Sequence, residues 1–76
     1  MLNVNDKMKI RKDLQADVKY NDIYCHNGML RFRGKEVTIG NFPFNERNDV
    51  FNINEDLEGY LWSYGMLERQ HGVNYE

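Results

Sequence analysis

The chain has little cysteine, little proline and no long apolar run. Each shortage excludes something. Cys25 is the only cysteine among 76 residues, so no internal disulfide can staple the fold, and packing must hold it. Pro43 is the only proline, and no low-complexity segment interrupts the chain. No stretch nears the roughly 18–20 apolar residues that span a bilayer. The opening Met1–Asp6 lacks a basic region followed by an apolar one, so no secretory signal is expected. The glycines form neither G-x-G-x-x-G nor a phosphate-binding loop ending in Gly-Lys-Ser/Thr, so nucleotide binding has no support. Positive charge is not in excess either. Residues 1–38 sum to +3, residues 39–76 to −5, and the whole to −2. A broad basic face for phosphates is therefore disfavoured.

What remains is a folded domain. Apolar residues make up 41% and aromatics 13%, too many for a disordered tail. One domain is all that the length allows. Its core must be thin, so any site is a groove, a loop cluster or a surface patch. The expected place is the cytoplasm.

Alternation locates the strands. Lys7-Met8-Lys9-Ile10-Arg11 predicts a half-buried strand with Met8 and Ile10 inward. Lys35–Ile39 is β-branched, alternates, and lies between Gly34 and Gly40, with Val37 and Ile39 facing the core. Asp49–Asn54 predicts a strand with Phe51 and Ile53 inward. A short acidic connection, Glu55–Gly59, joins it to the aromatic strand Tyr60–Ser63 as a hairpin. Trp62 is the largest apolar side chain and belongs in the core. Leu67–Arg69 is a short closing strand.

The intervening segments are irregular. Residues 13–34 carry turn formers around a short irregular strand at Tyr20, Ile23 and Tyr24. Asn27 opens a single helical turn there as its N-cap, and Ser63 caps another over Tyr64–Met66. Pro43 excludes a central strand from the 41–48 loop. The expected boundaries are an N-terminal arm at 1–6, the barrel at 7–69 and a tail at 70–76. The predicted class is mainly β: a small five-stranded SH3-like barrel with a long first loop and one or two single helical turns. Curling hides the edges that five short strands would otherwise expose.

A resemblance adds to this. Lys9-Ile10-Arg11-Lys12-Asp13-Leu14, Tyr20-x-x-Ile23-Tyr24, Met29-x-x-x-Arg33-Gly34-Lys35-x-Val37-Thr38-Ile39 and Tyr60-x-Trp62-Ser63-x-x-Met66-Leu67-Glu68 form a pattern. It resembles the small YorP-like proteins of phages and prophages of low-GC Gram-positive bacteria, over about residues 7–68. The resemblance implies an SH3-like barrel and a phage origin, and no activity. The chain departs from the pattern at Phe42-Pro43-Phe44 and beyond Glu68.

No residue pattern supports an enzyme. Cys25-His26 is a thiol–imidazole neighbour pair, but adjacent residues on extended backbone point to opposite faces. A lone cysteine is ordinarily a small buried apolar residue. With His71, the pair offers at most three metal ligands where structural zinc takes four. No metal and no cofactor are expected. Asp49, Glu55, Asp56 and Glu58 near one hairpin read as a solvated, edge-protecting turn rather than the paired carboxylates of a glycosidase.

Three binding readings stay open. The first is a protein-binding module, monomeric or weakly oligomeric. Its apolar anchors would be Phe42, Pro43, Phe44 and Tyr64, with both phenylalanines either exposed or capping the barrel. In a phage, the partner would be a host or defence protein, an expectation resting on analogy. The second is a nucleic-acid-associated barrel using Lys7, Lys9, Arg11, Arg31, Arg33 and Lys35, with Phe32 nearby for stacking. Net acidity weighs against it. The third is an acidic imitation of DNA, with Asp49, Glu55, Asp56, Glu58 and Glu68 along one flank.

Overall fold

The computed structural model describes residues 2–68. Met1, Arg69 with its end of the expected closing strand, and the expected 70–76 tail with His71 lie outside them. The main sheet holds four antiparallel strands in the order β1 (Lys7–Lys9), β4 (Glu36–Asn41), β5 (Val50–Ile53) and β6 (Trp62–Ser63). A separate antiparallel pair joins β2 (Lys19–Tyr20) to β3 (Ile23–Tyr24). One 3-10 helix spans Asn27–Phe32 and a second spans Tyr64–Met66. Among the described residues there are six short strands in two sheets, where the sequence predicts five.

The main sheet curls, and the chain after β6 returns to β1. Met8 pairs with Val37 on one side of β1. On its other side, Ile10 bridges to Leu67. The Glu68 N–H donates to the Lys9 carbonyl at 2.7 Å, and the Arg11 N–H to Met66 at 3.0 Å. These bonds occupy backbone groups that an open edge would leave bare. The N-terminal arm joins in: the Asn5 N–H donates to Ile39, and the Ile39 N–H to Asp6. Leu2 is buried beside the core.

The alternating segments bury the residues their period selects. Ile10, Val37, Ile39, Phe51, Ile53 and Trp62 are in the core, and Met8 is partly buried against it. Leu14, Cys25, Met29 and Met66 from the irregular segments complete it. Phe32 meets the Trp62 ring edge-on at 5.5 Å, an arrangement aromatic pairs favour.

Four local details differ from the sequence expectation. The irregular strand at Tyr20–Tyr24 is a tight hairpin. Asn21 and Asp22 both take positive φ, 52° and 67°, the conformation that hairpin turns require and that Asn and Asp tolerate. The first helix has His26, not Asn27, at its cap position. The Met29 N–H donates to the His26 carbonyl, and the His26 N–H to Met29 Sδ at 3.2 Å, so the turn closes one residue earlier. Ser63 does occupy the cap position of the second helix, but its hydroxyl instead donates to the Tyr20 carbonyl at 2.7 Å. Finally, β4 runs on to Asn41 through a register shift after Ile39. A Cβ on Gly40 would stand 2.7 Å from Asn54 Oδ1 and 3.2 Å from the Asn52 carbonyl oxygen. The irregularity therefore uses glycine's lack of a side chain.

Candidate functional site

The β2–β3 hairpin, the 42–49 loop and the second 3-10 helix meet on one rim of the domain. Arg47 holds them together. Its guanidinium donates through Nε to Asp49 Oδ1 at 3.1 Å and through Nη2 to Asp49 Oδ2 at 3.0 Å. Nη2 also donates to the Asn21 carbonyl at the hairpin tip, at 2.9 Å. This fork geometry suits a planar guanidinium and not an ammonium. The bonded carboxylate raises the Arg47 pKa, and the bond from Arg47 lowers that of Asp49. Asp49 in turn accepts the Tyr64 N–H on its backbone carbonyl at 2.8 Å. Gly65 donates its N–H to Asn21 Oδ1 at 2.6 Å. Arg11 pairs with Asp13 and donates to the Gly65 carbonyl, and its guanidinium stacks on Tyr20 at 5.2 Å. The rim is braced from three sides.

The aromatic loop divides within itself. Phe42 is half-buried and packs edge-on against the core ring of Phe51, with centroids 6.2 Å apart. It closes the core. Pro43 is exposed, and Phe44 is 46% exposed. A turn fixes Phe44 beside the brace, because its carbonyl accepts the Arg47 N–H at 3.1 Å. Tyr64 packs partly against the core. Phe42, Pro43, Phe44 and Tyr64 thus belong to one braced rim, and of these four Phe44 is the outward ring, as Tyr24 is on the hairpin.

The expected cations are interleaved with carboxylates. Lys7 and Lys9 line a cleft of about 160 Å³ with Met8, Glu36 and Glu68. Arg11 is paired with Asp13. Arg31 lies 3.8 Å from Asp56 and 3.6 Å from Glu58, with its guanidinium over Phe32. Arg33 donates to the Leu30 carbonyl, and Lys35 is exposed. The expected acidic flank is likewise engaged by its own chain at Asp49, Glu55, Asp56 and Glu58. Glu68 Oε2 is buried without a hydrogen-bond partner among the described residues.

Asp56 departs most from the solvated turn that the sequence suggests. Its side chain is 1% exposed. It accepts the N–H groups of Glu58 and Tyr60 and the indole N–H of Trp62, the last at 3.1 Å. Sequence reasoning missed Arg47 and Asp56 as organisers. An Arg-x-Asp spacing and an acid six residues before a core tryptophan are the only signals they leave. Cys25 is buried, and that burial, followed by the charge of Asp17, raises its thiol pKa. Such a thiol is a poor nucleophile. Among the described residues no group of three or more His, Cys, Asp or Glu side chains is placed to hold a metal ion. No helix there is long and apolar enough to cross a membrane.

No protein-family model, curated protein or solved structure matches the chain. The site is therefore read from its own geometry.

Glu55 offers a pH test of the loop at the opposite end of β5. Lost hydration pushes its carboxyl pKa up, but hydrogen bonds from the Thr38 N–H and hydroxyl outweigh this and leave it lowered. A lowered pKa stabilises the fold above the unfolded value, and the gain disappears as pH falls through the folded one. Thr38→Val removes the hydroxyl bond. Its melting temperature should lie below wild type near neutrality, and the gap should shrink below about pH 4, where glutamates protonate. A gap constant from neutrality to acid would show that Thr38 acts through packing instead.

Proposed function

We propose that the chain is an SH3-like barrel acting as a non-enzymatic protein-binding module in a phage or prophage of a Gram-positive bacterium. The element order supports the fold reading. A first strand is followed by a long excursion with its own hairpin, then a meander of three strands. A single 3-10 turn follows, and the chain returns to the first strand. The YorP-like resemblance supports the phage origin and, with it, a host or defence protein in the bacterial cytoplasm as partner. That choice of partner is an analogy of setting.

One observation carries the binding reading. Phe44 stands out from a rim whose backbone is fixed by Arg47, Asn21 and Asp49. Interfaces concentrate energy in aromatic anchors of this kind, at about 2 kcal/mol or more each. A braced loop loses less entropy on docking than a free one.

Two single substitutions test it. Phe44→Ser should melt within a few degrees of wild type, since its ring is largely outside the core. On an affinity column it should lose a host protein that wild type retains. Phe42→Ser should lower stability by about 1–3 kcal/mol, below the cost of deleting a fully buried ring. Retention of the same host protein by folded Phe44→Ser would overturn the anchor.

A further inference from the structure

The rim carries an imbalance of charge that bears on what it binds. Both of its arginines are spent within the chain: Arg11 on Asp13, and Arg47 on Asp49. Two further carboxylates are not matched in this way. Asp22 sits at the hairpin tip, exposed and held at positive φ. It is near enough to Arg47 to add to the raised arginine pKa. Glu46 is exposed within the Phe44–Arg47 turn. Lys19 of β2 lies over the Tyr24 ring of the same hairpin. Three cations against four carboxylates therefore leave the rim one charge negative, with Asp22 and Glu46, among the described residues, as its carboxylates outside a salt bridge and Phe44 exposed.

Resting on the protein-binding reading above, we infer that the rim takes a cationic segment of a partner protein: Lys or Arg side chains flanking one apolar residue. The apolar residue packs on Phe44, and the flanking cations meet Asp22 and Glu46. Complementary charge of this kind steers encounter and rejects acidic competitors more than it adds raw affinity. An anionic partner would meet the same two carboxylates as repulsion. The paired arginines could serve it only by giving up bonds that brace the rim, and the rim's remaining cation, Lys19, lies over Tyr24.

The test uses the whole chain, labelled for amide NMR, and four probes. Three are short peptides with a central Leu flanked by Lys and Arg, by Asp and Glu, or by Ser. The fourth is a random single-stranded DNA oligonucleotide. The cationic peptide should shift the amides of Tyr20–Asp22, Phe44–Asp49 and Tyr64–Gly65. Its affinity should fall at least threefold between about 0.03 and 0.3 M salt, as screening shortens the reach of the charges. A double variant, Asp22→Asn with Glu46→Gln, should weaken it about fivefold with the melting temperature unchanged. Asparagine keeps the positive φ at position 22 tolerable. If the acidic or serine peptide shifts the same amides as strongly, the charge inference is wrong and the rim remains a binding surface. Binding of the oligonucleotide at the rim would overturn the inference in favour of nucleic acid. If the cationic peptide shifts amides elsewhere, or none, the inference and the rim reading fall together.

Discussion

Trp62→Ala should be largely unfolded at room temperature. The ring is fully buried, meets Phe32 edge-on, and lies across from Phe51 in the β5–β6 register. Deleting a buried Trp costs about 3–5 kcal/mol. A chain of 76 residues has in total roughly 4–11 kcal/mol, at about 0.05–0.15 per residue. The substitution also takes the indole donor from Asp56, leaving a buried carboxylate short of a partner. Trp62→Phe loses the same N–H but keeps an aromatic ring and gives up only part of the indole's volume, so it is the milder change. It should fold with a reduced melting temperature. A cooperative transition for Trp62→Ala within a few degrees of wild type would show that the ring is not central to the core.

Asp56→Ala should cost about 3 kcal/mol, the upper end for a single hydrogen bond to a charged group. Three donors lose their acceptor at once: the Glu58 and Tyr60 N–H groups and the Trp62 indole. The first two can turn to water. The indole cannot, because Trp62 is enclosed, and a buried donor left unmade costs about 1–3 kcal/mol by itself. For a domain of this size the melting temperature should fall by about 10–20 °C. Hydrogen exchange at the indole N–H gives a readout that simple loosening of the loop does not, since protection there should drop far more than at Val37 or Ile39. An Asp56→Ala protein that melts like wild type with a protected indole would mean that Asp56 only happens to lie near the ring.

These two residues also show what was readable in the sequence. Trp62 could be placed because a large apolar side chain in an alternating segment has one comfortable location. The same holds for Val37, Ile39, Phe51 and Ile53. Asp56 could not, since in an acidic run a carboxylate facing water and one folded back onto an indole look alike. The difference is a path of a few backbone torsions that composition does not record. The hairpin at Asn21–Asp22 was half legible. Its turn residues stand out, but strands of two residues are too short to display a period. The candidate site was legible as residue types and not as a place. Phe42 and Phe44 form one motif on paper, yet they part company because β4 ends at Asn41 and alternation ends with it: Phe42 packs on Phe51, and Phe44 is carried outward by the turn it forms with Arg47. Arg47 leaves only its spacing to Asp49 as a signal, because its other partner, Asn21, lies on a different loop.

The bridge from Ile10 to Leu67 has a consequence for how the domain comes into being. β1 leaves the ribosome well before the 66–68 segment that becomes one of its two neighbours. Until Met66 and Glu68 are available, the Arg11 N–H and the Lys9 carbonyl lack these backbone partners, and one side of β1 is a bare template. Most of the chain must therefore be synthesised before this ring of backbone pairing can close, and folding during translation is confined to local pieces such as the 17–25 hairpin and the β4–β5 meander. Pairing between positions so far apart carries the entropy of a long loop and slows the final step. In that interval a nascent chain offers β1 to any passing extended segment, so exposure to misassembly is set by the delay between making β1 and docking the 66–68 segment on it.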